Sequence, residues 1–157
     1  MNREMNELTH IGSDNRPAMV DVGDKPLSFR TAKAEGFIAL QPATVKLIGD
    51  NGITKGNVLI TAELAGTQAA KRTAELIPLC HTLLLSNVRV KAALNDDGVT
   101  IHSEVKCNGQ TGVEMEALTA VSVALLTVYD MCKAVDKKME IGAITLLEKT
   151  KTETGSK

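Results

Sequence analysis

The sequence places a carboxylate and an amine three residues apart at the end of its longest apolar stretch. Asp130 and Lys133 follow a run from Ala117 to Tyr129 that carries no charged residue. The helix macrodipole disfavours a carboxylate in the last turns, and a local rule broken on a well-specified element favours a functional position. A carboxylate that orients an amine can help to add protons to a bound molecule and to remove them. Asp130 and Lys133 are therefore the first candidate catalytic residues.

A second dense group of polar residues begins at Lys71 and ends at His81. Lys71 and Arg72 offer positive charge to a phosphate, while His81 lies in the turn after a helix, where a proton-transfer group can face a cleft. The alternative is that Lys71 and Glu75 form an ordinary exposed helical pair and that Cys80 is simply buried. The residues alone leave both interpretations open.

A further lysine lies in the turn that precedes a predicted helix. Lys55 follows the turn pair Asn51-Gly52, and Gly56 comes directly after it. Backbone amides at a helix N-terminus together with an ammonium group can bind an anion. The segment lacks the spacing of a Walker motif, and a lysine in a turn is more often only solvated.

The element that carries Asp130 is predicted to be a buried helix from Thr111 to Lys133. Thr111 and Glu114 fit a capping box, which is a sufficient explanation for Glu114, whereas Glu116 has no such local explanation. Met115 at this end is more often a packing residue than a recognition residue. The predicted core positions recur at helical spacing and are Ala117, Ala120, Val121, Ala124, Leu125 and Val128.

The other helices and strands are predicted from the period of the hydrophobic residues and from the turn residues between them. The sequence predicts strands at 29–40, 84–94, 99–107 and 141–147, and further helices at 42–49 and 57–76. The order β, α, α, β, β, α, β is the split βαβ arrangement of a ferredoxin-like α+β domain, an antiparallel four-stranded sheet with helices on one face. We expect an irregular N-terminal arm at 1–24, a single domain at 25–148 and a disordered tail at 149–157.

Composition excludes several functions for this chain of 157 residues. A net charge of -1 and three aromatic residues argue against binding to nucleic acid or to an acidic membrane surface. Three cysteines without a CxxC pair, and no leader segment, indicate reduced thiols in a cytoplasmic protein, and adjacent Cys80 and His81 do not fit a structural zinc site. Leu118, Val123 and Leu126 would be exposed in a monomer, so we expect a homo-oligomer.

Five segments together resemble the cyclic pyranopterin monophosphate synthase family, whose members are accessory proteins of molybdenum cofactor biosynthesis. The resemblance extends from about Leu8 to Leu147, with two departures: Thr82 where the family often has proline and Asn57 where it often has aspartate. The segments are MVDV at 19–22, Lys55-Gly56, AAKRTAELIPLCH at 69–81, TGVEMEAL at 111–118 and YDMCKAV at 129–135.

The resemblance implies a ferredoxin-like fold in a homo-hexamer, a trimer of dimers, with active sites at subunit interfaces. It implies a lyase that converts a small-molecule substrate, cyclised GTP, into cyclic pyranopterin monophosphate and pyrophosphate. The functional partner would be the radical S-adenosylmethionine GTP cyclase that makes this substrate. No resident metal or redox cofactor is expected, although magnesium can accompany the triphosphate.

The resemblance also assigns roles to individual residues. A lysine beside Asp130 can move protons if burial lowers its pKa. Clustered basic residues can stabilise the charge that builds on departing pyrophosphate. The catalytic assignments are Asp130, Lys55, Lys133 and His81. The substrate-binding assignments are Leu79, Cys80, His81, Met115, Glu116 and Glu114, with Arg30, Lys71 and Arg72 near the triphosphate.

Two other classes of protein remain open from the sequence. A non-catalytic oligomeric sensor of guanine nucleotides would also need basic residues and an apolar interface, although it would not explain Asp130 beside Lys133. A purely structural interaction module would show no thermal shift with a guanine triphosphate.

Overall fold

Four strands and four helices lie within residues 16–154, the part of the chain that the computed structural model describes. The predicted order is observed, with one additional short helix. The strands are β1 (Ser28–Ala39), β2 (Leu85–Asn95), β3 (Gly98–Gly109) and β4 (Glu140–Glu153). The helices are α1 (Pro42–Gly49), α2 (Val58–Ala70), α3 (Thr73–Leu76) and α4 (Glu114–Cys132).

The four strands form one antiparallel sheet in the order β2-β3-β1-β4. Consecutive strands β2 and β3 form a hairpin, while β1 and β4 reach their places through the helical connections. α2 and α4 pack against each other and cover the sheet, with α4 over β1 and β3 and α2 over β2. The ferredoxin-like α+β prediction is confirmed.

α4 is the central helix of the core. All six of its predicted core positions are at most 1% exposed, because the 3.6-residue period turns them towards the sheet and α2. It is long and apolar enough to cross a membrane by length and composition, yet more than half of it is buried inside the folded chain, as in a core helix. Leu126 is exposed as predicted, whereas Leu118 and Val123 are partly covered.

A glycine allows α2 and α4 to approach closely. A Cβ atom built on Gly66 would lie 2.7 Å from the backbone carbonyl oxygen of Ala120 and 3.2 Å from the Cβ atom of Ala124. A backbone atom cannot move aside as a flexible side-chain end can, so an added methyl group must push the two helices apart.

Gly66→Ala is therefore expected to destabilise the fold. Overpacking costs about 1–3 kcal/mol, and the better helix propensity of alanine returns only about 1 kcal/mol of that. Urea unfolding should show the midpoint falling relative to the wild type. Gly49→Ala is the matched control, since its Cβ would meet only Leu94 at 3.6 Å, an ordinary contact. An unchanged midpoint for Gly66→Ala would contradict the close packing of α2 on α4.

The helix predicted at 57–76 is interrupted. α2 ends at Ala70 and α3 starts at Thr73, because the buried Thr73 hydroxyl donates to the carbonyl oxygens of Ala69 at 3.3 Å and Ala70 at 3.0 Å. Lys71 and Arg72 form the corner between the two helices, where both side chains are exposed.

The capping box predicted for Thr111 and Glu114 is wrong. The N-cap of α4 is Val113, which makes no side-chain cap, and Glu114 is the first helical residue. Val113 is 1% exposed and its carbonyl oxygen accepts from Ala117 N at 3.1 Å, so burial of Val113 sets where the helix begins. Glu114 instead reaches Lys149 at 3.3 Å.

The disordered tail predicted from residue 149 is wrong over 149–153. These residues continue β4 and pair with β1, from Ala32 opposite Lys149 to Ser28 opposite Glu153. Within the predicted arm, Pro17 forms an isolated β-bridge and residues 18–24 form no strand or helix, while residues 1–15 and 155–157 lie outside the described part of the chain.

Candidate active site

The two lysines and the aspartate singled out from the sequence meet at the end of α4. Lys55 Nζ lies 2.7 Å from Asp130 Oδ2 and also donates to the Asp130 carbonyl oxygen at 3.0 Å. Lys133 Nζ lies 2.7 Å from Asp130 Oδ1. The carboxylate thus binds one ammonium group with each of its oxygens. Hereafter these three residues are called the Asp130 cluster.

The loop between α1 and α2 places Lys55 beside Asp130. Gly56 directly after it has a φ of 105°, a conformation that favours glycine. Asn57 then caps α2, its side-chain oxygen accepting from Ile60 N at 2.9 Å. Asparagine and aspartate are equally good N-caps, so the departure from the family pattern at Asn57 preserves the local structure.

The charges in the Asp130 cluster reinforce one another. Hydrogen bonds from Lys133 and then Lys55 lower the pKa of Asp130 to about 2. The same hydrogen bond and the charge of Asp130 raise the pKa of Lys133. Roughly half of each of these three side chains is exposed. The sequence analysis expected burial to lower the pKa of a lysine beside Asp130, and this is not the case for Lys133 in the single chain.

The titration of Asp130 is a direct test of this arrangement. We expect carbon-detected NMR to give Asp130 a pKa of about 2 in the wild type and a higher value in Lys55→Ala, which removes one donor. Because the pKa is lowered on folding, the contribution of Asp130 to stability is present above its ordinary pKa of 3.8 and is lost as the pH falls towards 2. Lys46→Ala is the control, since Lys46 pairs with Asp50 instead. An Asp130 pKa near 3.8 in the wild type would contradict the cluster.

A cavity of about 700 Å³ lies beside the start of α4. His81 is held there by its Nε2, 2.7 Å from the carbonyl oxygen of Val20, so the segment around the MVDV motif forms part of the wall. Burial, followed by the charge of Glu116, raises the pKa of the Cys80 thiol. The lining residues are Val20, Val22, Lys25, Ile77, Leu79, Cys80, His81, Leu83, Thr111, Gly112, Glu114 and Met115.

Glu116 is buried close to this cavity. It is 3% exposed and its Oε2 has no hydrogen-bond partner. Burial is the main cause that raises the pKa of Glu116, and the neighbouring Glu114 adds to it. A buried carboxyl group with an unsatisfied oxygen is costly to a fold, which makes it a candidate for contact with a bound molecule.

A smaller basic cleft of about 170 Å³ adjoins the cavity and shares Gly112 and Glu114 with it. Arg30 lies in this cleft, where its Nη2 donates to the Gln110 carbonyl oxygen at 3.3 Å while its buried Nε has no partner. Lys149 and Lys151 of β4 lie beside Arg30 in the same cleft. Sequence reasoning missed both lysines because it assigned them to a disordered tail.

Lys71 and Arg72 are not brought into the cavity beside His81. Lys71 lies on a separate depression of about 470 Å³, next to the start of β2, which shares only Leu83 with the cavity. The structure therefore gives Arg30 a place next to the cavity but leaves the predicted triphosphate role of Lys71 and Arg72 without support within one chain.

The Asp130 cluster and the cavity lie at opposite ends of α4. Met115 and Asp130 are separated by 15 residues of continuous helix, which corresponds to about 22 Å at the helical rise. The start of α4, which lines the cavity, is therefore far from the Asp130 cluster of the same chain.

The described residues show no side-chain cluster for a metal. Within 16–154, no group of three or more His, Cys, Asp and Glu residues converges in a way that could hold an ion. The fold and these side chains together define a ferredoxin-like α+β protein with side chains of the types that transfer protons and bind anions.

Comparison with known proteins identifies the family. The family model described as the MoaC family matches residues 19–152. The chain belongs to the MoaC family.

Curated relatives match over nearly the whole chain. The cyclic pyranopterin monophosphate synthase of Methylobacterium sp. (strain 4-46) is 56% identical over 156 residues, 97% of this chain and 96% of the relative. The protein of the same name from Chloroflexus aurantiacus is 54% identical over 151 residues, 95% of this chain and 93% of the relative. Molybdenum cofactor biosynthesis protein 1 of Drosophila melanogaster is 51% identical over 150 residues, 94% of this chain but 26% of that protein.

Proposed function

We propose that this chain is a cyclic pyranopterin monophosphate synthase of molybdenum cofactor biosynthesis. Its relatives over nearly the full length are cyclic pyranopterin monophosphate synthases by name, which supports the activity. As a lyase, it would convert cyclised GTP into cyclic pyranopterin monophosphate and release pyrophosphate. The observation that carries the chemistry is the Asp130 carboxylate paired with two amines at 2.7 Å each.

The residue types suit the steps of this reaction. Rearrangement of a purine-derived ring requires protons to be added and removed at carbon and nitrogen, which the amines held by Asp130 can do. Formation of a cyclic phosphate expels pyrophosphate, whose negative charge Arg30 and Lys149 can stabilise. His81 and Glu116 would contact the ring end of the substrate.

The active site is composed of two copies of the chain. The helix length separates the Asp130 cluster from the cavity, so one copy supplies the cluster and a neighbouring copy supplies His81 and its surroundings. Apolar side chains on the outer faces of the helices support such contact, since Ile60, Leu64 and Leu126 are 57%, 67% and 58% exposed. Burial in that contact would remove water from the amines and favour the neutral form of one of them. As the resemblance to the family implies, the assembly that we propose is a homo-hexamer built from three dimers.

The proposal also covers cofactor, partner and location. The enzyme needs no resident metal, and magnesium would enter only with the substrate triphosphate. A radical S-adenosylmethionine GTP cyclase supplies the substrate, and both proteins act in the cytoplasm.

A coupled assay tests the activity. The purified protein is mixed with cyclised GTP produced by the radical cyclase, and pyrophosphate and cyclic pyranopterin monophosphate are measured. Release of both is expected. A sensor of guanine nucleotides would bind the molecule and return it unchanged, which would refute the proposed function.

Complementation tests the composite site. Lys55→Ala and His81→Ala are each expected to be inactive. Hybrid assemblies from co-expression should regain activity in about one quarter of their sites, because random pairing gives that fraction of sites a native Lys55 from one copy and a native His81 from the other. A hybrid preparation as inactive as its parents would show that both ends must lie in one chain, against the geometry of α4.

A further inference from the structure

Asp136 is a buried carboxylate three residues beyond Lys133. It is 1% exposed and accepts four hydrogen bonds. Its Oδ2 accepts from Gln41 N at 2.9 Å and from the Thr44 hydroxyl at 3.0 Å. Its Oδ1 accepts from the Gln41 side-chain amide at 3.1 Å and from Lys138 N at 2.9 Å. Burial acts to raise the pKa of Asp136, but these hydrogen bonds outweigh it and the pKa lies below its ordinary value.

Three of these hydrogen bonds are donated by α1 and its N-cap residue, and this helix has few other stabilising contacts. α1 has no side-chain cap from its N-cap residue Gln41 and no acidic residue in its first turn. It buries only Thr44 and Ile48. A short helix with so little buried surface depends on tertiary partners. Asp136 provides the negative charge that a helix N-terminus favours and the acceptor for the Thr44 hydroxyl.

The same carboxylate connects the two segments that carry the amines of the Asp130 cluster. On one side, Asp136 N donates to the Cys132 carbonyl oxygen at 3.0 Å, which ties it to the last turn of α4 beside Lys133. On the other side, the helix it anchors runs from Pro42 to Gly49 and leads into the loop that carries Lys55. A shift of the start of α1 would therefore be transmitted to Lys55.

We infer that Asp136 is a positioning residue, which clamps the start of α1 to the end of α4 and thereby holds Lys55 and Lys133 at hydrogen-bond distance from Asp130. Its effect on turnover rests on the proposed function, whereas its effect on the geometry of the cluster does not.

The titration of Asp130 in Asp136→Asn tests the inference without any need for activity. An amide at this position donates through its nitrogen and cannot accept from all four donors, so the clamp loosens. The pKa of Asp130 is expected to rise from about 2 in the wild type to about 3 or higher, as the amines move away. An Asp130 pKa that stays at about 2 in a folded Asp136→Asn protein would overturn the inference.

Ile48→Val is the control for general loosening of α1. It trims the other buried side chain of the helix and leaves the carboxylate untouched, so the melting temperature should fall while Asp130 still titrates at about 2. Equal shifts of the Asp130 pKa in both variants would overturn the specific role of Asp136. If Asp136→Asn does not fold, Thr44→Val removes a single hydrogen bond from the same carboxylate, and the absence of any rise in that variant would equally overturn it.

Kinetics separate this inference from the proposed function. With cyclised GTP as substrate, kcat of Asp136→Asn should fall about tenfold or more with little change in KM, since substrate contacts are preserved and the proton-transfer groups are displaced. A raised Asp130 pKa with undiminished kcat would uphold the clamp and count against the catalytic role of the cluster.

Discussion

Lys55→Ala is expected to abolish product formation while the protein stays folded. Lys55 lies on an exposed loop and buries little, so its loss removes one partner of Asp130 without opening the core. Loss of an acid or base group from a reaction of this kind costs about 10²–10⁴-fold in rate. Pyrophosphate release from cyclised GTP measures the loss, and circular dichroism with thermal melting confirms that the fold persists.

Lys46→Ala is the matched control for this experiment. Lys46 is also an exposed lysine paired with an aspartate, but it lies on α1 and its partner is Asp50. It should release pyrophosphate at the wild-type rate. Wild-type activity in Lys55→Ala itself would exclude Lys55 from the mechanism. The contact between Lys55 and Asp130 would then be only a surface ion pair.

Asp130→Asn is expected to cause a comparable loss of turnover by a different route. Both amines lose the charge that orients them, and the pKa of Lys133 should fall back towards its ordinary value. Rate losses of about 10²–10⁴-fold are expected for disabled acid and base groups. The variant should melt at nearly the wild-type temperature, because exposed ion pairs contribute little and the helix C-terminus no longer carries an unfavourable negative charge.

A large loss of turnover with a nearly unchanged melting temperature distinguishes a functional carboxylate from a structural one. Asp50→Asn, which breaks the exposed pair with Lys46, should change neither turnover nor melting temperature appreciably. If Asp130→Asn lowers the melting temperature by as much as a core substitution and turnover falls only in proportion to unfolded protein, the Asp130 cluster has a structural role.

The sequence identified the end of α4 because two patterns there conflict. The helical period of the apolar residues from Ala117 to Val128 specifies a buried helix, and that prediction is confirmed position by position. Asp130 breaks the dipole rule on the same helix, which makes it a candidate from the sequence alone. The partner Lys55 is 75 residues away, and no local pattern relates the two. The turn before α2 indicated Lys55 only as an anion-binding candidate, and its catalytic role with Asp130 came from the resemblance to a family.

Three other features were not predicted from the sequence, each for a different reason. The stretch at 149–153 reads as polar and charged, yet threonines alternate with charged residues there, a period of two that suits an exposed edge strand. That alternation indicates a strand at 149–153, in which Lys151 pairs with Arg30 and Lys149 pairs with Ala32. Asp136 lies among lysines and looks solvated in sequence, and its burial depends on a helix start more than 90 residues earlier. The start of α4 was misplaced because burial of Val113 decided it instead of capping.

The length of α4 has a consequence for how the enzyme behaves on dilution. In the two-copy site that we propose, a helix that keeps the Asp130 cluster about 22 Å from the cavity leaves a solitary chain, however well folded, without a complete site. Specific activity should therefore decline as the protein concentration drops below the dissociation constant for self-association, while the fold of each chain persists.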